Sequence, residues 1–181
     1  MTDRSGTVIY LAGPIGAGKT TVANELVKLL AGPLTHMEGD KFWRFIATPA
    51  SKDRRETFTL LMRSMTAAAI PFAKSGYTVL IDFSIPPPFL TSARKILKDI
   101  PLDYVVLKPD LAVCEERAAL RPEGKIEDYT AYRDFYALFD AHPRHVLSED
   151  HIDAKRMAVR IKEELDMGAF RVPLDGLDAL S

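Results

Sequence analysis

The chain has 181 residues, and its 24 lysines and arginines nearly balance its 25 aspartates and glutamates, giving a formal net charge of −1 at pH 7. This length suits a single domain over 1–181, and the charge balance excludes a generally basic surface for nucleic acid or acidic membranes. Cys114 is the only cysteine, which excludes an internal disulfide and a cysteine-rich zinc site. The sequence has no signal pattern and no apolar run of membrane-spanning length, so we expect a cytoplasmic location.

Strands alternate with helices along the chain, which is the pattern of an α/β protein with a mainly parallel sheet. Short apolar runs predict the strands, and apolar residues at helical spacing predict the helices. In chain order the predicted elements are a strand at 7–12, a helix at 20–30, a strand at 34–38, a helix at 55–74 that is kinked or divided near Pro71, a strand at 77–82, a helix at 89–99, a strand at 102–107, a helix ending near 120, a helix at 129–141, a strand at 145–147 and a helix at 152–166. The polar stretch 121–128 is expected to be a mobile loop, and the tail from Gly168 is expected to pack loosely.

The connection between the first strand and the first helix carries the strongest motif, Gly13-Pro14-Ile15-Gly16-Ala17-Gly18-Lys19-Thr20. It matches the pattern G-x-x-x-x-G-K-[ST] at every fixed position. Glycines allow the backbone to curl around an anion with its N–H groups turned inward, and the dipole of the following helix favours negative charge. Lys19 can reach the β- and γ-phosphates of a nucleotide, and the Thr20 hydroxyl can ligate Mg²⁺. The motif, with Thr21 beside it, therefore predicts a site for nucleotide phosphates.

Two aspartates stand at the ends of predicted strands, where α/β proteins bind their ligands. Asp40 is the first candidate for the carboxylate that orients an acceptor hydroxyl and takes its proton. Its alternative role is that of an ordinary turn residue or the N-cap of a helix beginning at Lys41. Asp82 follows the apolar residues Val79, Leu80 and Ile81 at the end of a strand, as does an acid that holds Mg²⁺ through water, and it could instead cap a turn before Ser84. The sequence leaves open which of the two aspartates is the base.

Through these motifs the chain resembles the small P-loop kinases related to the nucleoside monophosphate kinases. Within that group it is most similar to shikimate and gluconate kinases, chloramphenicol phosphotransferase and the zeta-toxin kinases. The resemblance covers roughly residues 7–166. The motifs that carry it are the loop Gly13–Thr20, Gly39-Asp40, Asp82 and the segment Arg117–Arg121. The resemblance implies a three-layer α/β/α P-loop NTPase fold, with a five-stranded parallel sheet in the order 2-3-1-4-5 and a short lid at about 117–131. It also implies transfer of the γ-phosphate of ATP to a small molecule.

The lid that the resemblance implies contains two candidate catalytic arginines. Arg117 and Arg121 lie four positions apart and therefore on one face of the helix that enters the polar loop. In the relatives, arginines of the lid clamp the phosphates, and a guanidinium fork suits phosphate oxygens while a closing lid excludes water. The alternative is a solvated helix surface in which Arg121 pairs with Glu116 or Glu123.

The sequence says less about the acceptor side. The resemblance places it between the end of the second strand, the long second helix and the connection after the third strand. Trp43 is a candidate for stacking on a ring or sugar face, and Arg63 for holding a carboxylate or phosphate. Arg44 stands four residues after Asp40, whereas the toxin relatives tend to place an arginine three residues after it. The alternatives are that Trp43 is a core aromatic residue and that the arginines are solvated.

These residues favour a kinase that moves the γ-phosphate of Mg·ATP to a hydroxyl of a sugar acid, a cyclic hydroxy acid or an antibiotic-like compound. A GTPase switch is disfavoured because the sequence has no Asn-Lys-x-Asp guanine signature. Two alternatives stay open, a nucleoside or nucleotide kinase and a zeta-toxin-like kinase controlled by a protein partner. The expected cofactors are ATP and Mg²⁺, and the expected partner is a small-molecule acceptor, with no nucleic acid and no membrane. The sequence does not identify the acceptor, the oligomeric state or the pathway.

Overall fold

A five-stranded parallel sheet organises the fold in the computed structural model, which describes residues 6–50, 53–122, 124–150 and 153–174. The strands are β1 (Val8–Ala12), β2 (Leu34–Glu38), β3 (Thr78–Asp82), β4 (Leu102–Leu107) and β5 (Val146–Leu147). Their order across the sheet is β2-β3-β1-β4-β5, and every neighbouring pair is parallel. The sheet order implied by the family resemblance is confirmed, and β2 and β4 have the predicted bounds.

Helices cover both faces of this sheet. They are α1 (Lys19–Val27), α2 (Gly39–Trp43), α3 (Arg54–Lys74), α4 (Leu90–Leu97), α5 (Leu111–Ala119), α6 (Arg133–Ala137) and α7 (Ala154–Asp166). Short 3-10 turns stand at Pro87–Phe89, Thr130–Tyr132, Leu138–Asp140 and Pro143–His145. Helix α1 packs against α7, and α3 packs against α4. Within the four described ranges, no helix combines the length and the apolar character needed to cross a membrane.

The central strand β1 separates the core into two parts, because its side chains alternate between the two faces of the sheet. On one face Tyr10 belongs to a cluster that includes Met65 of α3. On the other face Ile9 belongs to a cluster that includes Leu26 of α1 and Ile161 of α7. Every residue of β1 is buried. The two clusters account for the three-layer arrangement, with one helical layer on each side of the sheet.

The carboxyl ends of the central strands meet at one edge of the sheet. Leu11 of β1 is in register with Asp82 of β3, and Glu38 of β2 is in register with the same aspartate. In a parallel sheet this is the edge from which chains leave toward helices and at which ligands bind. The loop before α1 and the first turn of α2 therefore leave the same edge of the sheet, from strands on either side of β3.

Helix α3 runs undivided through Pro71, so the predicted division at that residue is wrong. Pro71 is exposed and lies three residues before the last helical residue, Lys74. A proline removes one backbone donor and pushes its ring against the preceding turn. Near the end of a long helix, with the ring in solvent, the remaining hydrogen bonds and the packed face keep the helix intact. The other helix ends differ from the prediction by a few residues, as when α1 ends at Val27.

The prediction of a helix at 129–141 is also wrong, because the segment is not one continuous helix. This segment consists of a 3-10 turn, the five-residue helix α6 and a second 3-10 turn. Its aromatic side chains pack in different places, because Tyr129 joins Cys114 in a small cluster whereas Phe139 enters the main core. Breaks in the helix allow one short segment to serve both clusters. Cys114 is fully buried, as expected of a packing residue.

The described part of the tail after α7, residues 168–174, does not pack loosely, contrary to the prediction, and residues 175–181 lie outside the described part of the chain. Phe170 and Val172 are buried, with exposed fractions of 0% and 1%. The amide of Tyr104 donates to the Phe170 carbonyl at 2.9 Å, and the amide of Val172 donates to the Leu102 carbonyl at 2.9 Å. The Arg171 guanidinium pairs with Asp103, with 2.9 Å between Nε and Oδ1. Because β5 covers only the end of β4, the tail occupies the rest of that edge.

Candidate active site

The loop between β1 and α1 has a backbone that only glycine can adopt at two of its positions. Gly13 has φ 142° and Gly16 has φ 84°, values in the left-handed region. A Cβ on Gly13 would lie 2.1 Å from the Leu107 carbonyl oxygen, and one on Gly16 would lie 2.2 Å from the Cys114 carbonyl oxygen. The loop therefore curls tightly against the end of β4 and against α5, as a phosphate-binding nest requires.

The P-loop lysine forms hydrogen bonds to carbonyl groups of its own loop. Lys19 Nζ donates to the Gly13 carbonyl at 3.1 Å and to the Pro14 carbonyl at 2.8 Å. Burial lowers the pKa of Lys19 to about 8, and the carboxylates of Asp82 and Asp40 act against that shift. These two acids therefore lie close enough to the ammonium group to influence its charge, as P-loop chemistry requires.

Asp82 ends β3 as a buried carboxylate with an exposed fraction of 3%. Among the described residues neither of its carboxylate oxygens has a hydrogen-bond partner, and His36 Nε2 lies 3.5 Å from Oδ1. A buried carboxylate without partners is unfavourable unless a cation compensates it. Mg²⁺ prefers carboxylate and hydroxyl oxygens, so Asp82 and the exposed Thr20 at the start of α1 fit that ion. In the part of the chain that is described, no group of three or more His, Cys, Asp or Glu residues is arranged to hold a metal, so nucleotide and water oxygens would complete the ligand set.

Asp40 and Arg121 form an ion pair although they are 81 residues apart in the sequence. Arg121 Nη2 donates to Asp40 Oδ2 at 2.9 Å. Asp40 lies in the first turn of α2, and Arg121 lies just beyond the end of α5. Gly39 allows α2 to begin here, because a Cβ on that residue would lie 2.0 Å from the Phe83 ring. The structure thus brings together two predicted catalytic residues. The alternative pairing of Arg121 with Glu116 is not the one observed, and Glu123, the other alternative partner, lies outside the described residues.

Arg117 lies beside the phosphate-binding loop. A Cβ on Gly18 would lie 3.7 Å from Arg117 Nη1, and Arg117 Nη2 donates to the Asp150 carbonyl at 3.5 Å. Arg117 also lines a cleft of about 320 Å³, together with residues of the P-loop, α1 and the ends of β4 and β5. The other lining residues are Ala17, Gly18, Thr21, Val22, Leu107, Pro109, Leu147, Glu149, Asp153, Ala154 and Met157.

This cleft has the composition of a small-molecule site, and sequence reasoning missed most of its wall. Leu107, Leu147 and Met157 are apolar and come from β4, β5 and α7. Small-molecule sites are mainly apolar clefts with a few polar groups that fix orientation. Because these residues are far apart in the chain, only their position at the strand ends could have indicated them.

The residues predicted to contact an acceptor lie in different surroundings. Trp43 is partly buried, with its ring centroid 6.5 Å from that of Phe58, and the Arg54 guanidinium lies 5.6 Å above the indole. Arg44 is exposed at the C-terminal end of α2. Arg63 lies on the exposed face of α3, where it lines a groove with Arg55 and neighbouring residues. The structure therefore places Trp43 and Arg44 on the helix that carries Asp40, whereas Arg63 stands apart from that group.

The outer side of the P-loop has a support that the sequence did not reveal. The Tyr129 hydroxyl donates to the Ile15 carbonyl at 2.7 Å across 114 residues of sequence. Burial raises the pKa of Tyr129 well above its usual value, so the hydroxyl stays a donor. No pattern in the sequence signals that one of the aromatic residues of this segment binds a loop carbonyl.

Comparison with known proteins identifies relatives of the whole site region. The AAA domain family matches residues 8–133, which include the P-loop, Asp40, Asp82, Arg117 and Arg121. An adenylyl-sulfate kinase of Chloroflexus aurantiacus is 31% identical over 147 residues, which cover 75% of this chain and 76% of that enzyme.

Two solved structures have the same fold. The Mycobacterium tuberculosis APS kinase CysC, in complex with AMPPNP and APS, superposes with a TM-score of 0.67 at 20% identity and covers 90% of this chain and 98% of its own. The Deinococcus radiodurans tunicamycin resistance protein superposes with a TM-score of 0.65 at 21% identity, and the match covers 93% of this chain and 99% of that one. With its P-loop, its sheet order and these relatives, the chain belongs to the AAA domain family and is a P-loop kinase.

Proposed function

We propose that this kinase transfers the γ-phosphate of Mg·ATP to a hydroxyl group of a small molecule. The observation that carries the proposal is the Asp40–Arg121 ion pair next to the P-loop lysine. A carboxylate that can take a proton and a guanidinium that can bind phosphate oxygens are the two groups that phosphoryl transfer needs beyond the loop itself. Their position at the carboxyl edge of the sheet supports an acceptor site beside the γ-phosphate.

On the donor side, the base of ATP would occupy the 320 Å³ cleft and its phosphates would lie on the loop. Lys19 would then exchange the Gly13 and Pro14 carbonyls for the β- and γ-phosphate oxygens. Thr20 and Asp82 would hold Mg²⁺, which neutralises part of the phosphate charge. Arg117, next to Gly18, would add a second positive charge at the phosphates.

On the acceptor side, Asp40 would orient the acceptor hydroxyl and accept its proton as the oxygen attacks the γ-phosphorus. The new oxygen–phosphorus bond forms while the bond from the γ-phosphorus to the β–γ bridging oxygen breaks, so ADP and a phosphorylated acceptor are the products. Arg121 would leave Asp40 and bind oxygens of the transferring group, where charge accumulates. The ion pair in the free enzyme keeps both groups within reach of the reacting atoms.

A sugar acid, a cyclic hydroxy acid or an antibiotic-like hydroxyl compound is the first class of acceptor that we propose. A nucleotide acceptor is the second candidate, because the relative at 31% identity is an adenylyl-sulfate kinase. We also propose a cytoplasmic location, which suits an enzyme that uses ATP.

A direct screen tests the reaction. The purified chain would be incubated with Mg·ATP and a panel of hydroxyl compounds from both classes, with adenylyl sulfate included. We expect one class to show ADP release together with a mass gain of one phosphate on the acceptor. ATP binding without phosphate gain on any panel member would leave the donor side supported and argue against both acceptor classes. Absence of ATP binding in calorimetry would contradict the proposed function as a whole.

A further inference from the structure

The outer side of the P-loop rests on a small apolar cluster that separates it from solvent. Cys114 and Ala118 of α5 and the ring of Tyr129 are buried in this cluster, and Ile15 of the loop packs against them. Tyr129 itself has an exposed fraction of 5%. The cluster therefore connects the loop to α5 and to the chain that follows the proposed lid.

Within this contact, three consecutive carbonyl groups of the loop have a hydrogen-bond donor. Lys19 Nζ binds the carbonyls of Gly13 and Pro14. The third carbonyl, that of Ile15, accepts from the Tyr129 hydroxyl at 2.7 Å. The first two bonds end when Lys19 moves to phosphate under the proposed function, whereas the bond from Tyr129 does not involve a group that the nucleotide needs.

The bond to Ile15 also determines the direction of the next amide. A trans peptide is planar, and its C=O and N–H groups point in opposite directions. Because the Ile15 carbonyl points toward Tyr129, the Gly16 N–H points away from it. Gly16 has φ 84°, and its α-carbon lies against the backbone of Cys114, so this peptide is held on both sides. Amides of this loop are the groups that bind phosphate oxygens.

We infer that Tyr129 is a positioning residue of the P-loop: its hydroxyl fixes the Ile15–Gly16 peptide so that the Gly16 N–H faces the bound phosphates. This inference rests on the proposed binding of ATP at the loop. Tyr129 would then be a donor-side residue that lies outside the motif. Its hydrogen bond connects the end of the segment 117–131 to the P-loop.

The test compares Tyr129→Phe with the wild-type chain. The substitution keeps the ring in its cluster and removes only the hydroxyl, so the fold is retained, as thermal unfolding would verify. We expect the affinity for ATP in calorimetry to fall about three- to tenfold, the effect of one lost hydrogen bond. The affinity for adenosine, followed by NMR titration, is expected to stay unchanged because adenosine has no phosphates to meet the Gly16 amide.

Tyr132→Phe is the matched control. Its ring lies 5.7 Å from that of Tyr129, and its hydroxyl has no hydrogen bond to any described residue, so this variant is expected to bind both ligands like the wild type. Equal losses of ATP and adenosine affinity in Tyr129→Phe would overturn the inference, because they would indicate a general support of the cleft. Unchanged ATP affinity in that variant would overturn it as well. If the wild type itself failed to bind ATP, the proposed function would fail first, and that result is distinguishable from the other two.

Discussion

The phosphate-binding part of the proposed donor side is one continuous loop, Gly13–Thr20, whereas the proposed acceptor side combines side chains from segments far apart in the chain. On the donor side, backbone groups and glycine dihedral angles define the geometry. On the acceptor side, the Asp40–Arg121 ion pair joins α2 to the chain after α5, and its carboxylate has an exposed fraction of 69%. Exposed ion pairs contribute little to stability and rearrange at low cost.

This difference indicates which part of the site is rigid and which part can rearrange. A loop held by backbone contacts cannot change without strain, so it suits a ligand that is always the same. A site made of exposed side chains can exchange partners when a substrate arrives. Substitutions on the proposed donor side should therefore act on ATP binding, on the charge at the transferring phosphate or on folding, and those on the proposed acceptor side should lower turnover and leave ATP binding unchanged.

The substitution Lys19→Ala tests the donor side most severely. We expect turnover to fall at least about a thousandfold, because the positive charge at the β- and γ-phosphates is lost. The fold should persist, since among the described residues the hydrogen bonds of Lys19 go to the loop carbonyls of Gly13 and Pro14. ADP release measures the effect, and Lys28→Ala, which removes an exposed lysine paired with Glu25, is the control. Wild-type turnover in Lys19→Ala would contradict the role of the loop.

On the acceptor side, Asp40→Asn should lower turnover about a hundredfold, because the amide cannot accept the proton of the acceptor. ATP affinity in calorimetry should remain that of the wild type. Asp166→Asn, which changes an exposed acid paired with Lys162, is the control and should have no effect on either quantity. A loss of ATP affinity in Asp40→Asn would place this residue on the donor side and would remove the distinction between the two sides.

A pair of glycine variants separates two causes of the loop's rigidity, namely the strain of its dihedral angles and the steric conflict with α5. Gly16→Ala should lower the free energy of unfolding by about 2 to 3 kcal/mol, because the new methyl group meets the Cys114 carbonyl and the dihedral angle is unfavourable. Gly32→Ala has nearly the same angle, φ 85°, with nothing within 4 Å, so we expect a loss of only about 1 kcal/mol. Chemical denaturation measures both. Equal losses would indicate that the contact with α5 adds nothing to the strain.

The smallest expected effect is a pH dependence of the free energy of unfolding that arises from His145. Burial lowers the pKa of His145 to about 4, while the ring accepts from Arg144 and binds the Tyr104 carbonyl. The unfolded chain takes up the proton near pH 6.5, so stability is complete above that pH and declines as the pH falls toward 4. We expect a loss of about 1 to 2 kcal/mol between pH 7 and pH 5, measured by denaturation. His145→Gln should reduce this slope, and an unchanged slope would assign the pH dependence to other groups.

The sequence predicted the sheet and the position of the P-loop between β1 and α1, for physical reasons. Strand β4 is a mainly apolar run bounded by clear breaks, β2 is a short mixed run that begins after the break at Gly32-Pro33, and the P-loop is a contiguous motif whose spacing follows from the size of a phosphate. The order of the strands came from the family resemblance. Asp40 and Asp82 were found because strand ends are recognisable in the sequence, although their chemical roles stay predictions.

The remaining features depend on contacts between distant parts of the chain. The pairing of Arg121 with Asp40 and the bond from Tyr129 to Ile15 join residues 81 and 114 positions apart, and no local pattern encodes them. The apolar wall of the cleft is likewise divided among several elements. Arg63 was predicted to contact the acceptor because it is charged and lies on the long second helix. The helical phase places it on the exposed face of α3.

The short C-terminal pairing along β4 has a consequence for the behaviour of the protein in solution. A strand with free N–H and C=O groups at the border of a sheet invites pairing with another chain. Strand β5 satisfies only the last two residues of β4, and the segment around Phe170 and Val172 satisfies the first part. Arg171, paired with Asp103, adds a charge at that border. The tail thus protects the sheet against strand-to-strand association, so shortening the chain before Phe170 would favour aggregation even if the active site stayed intact.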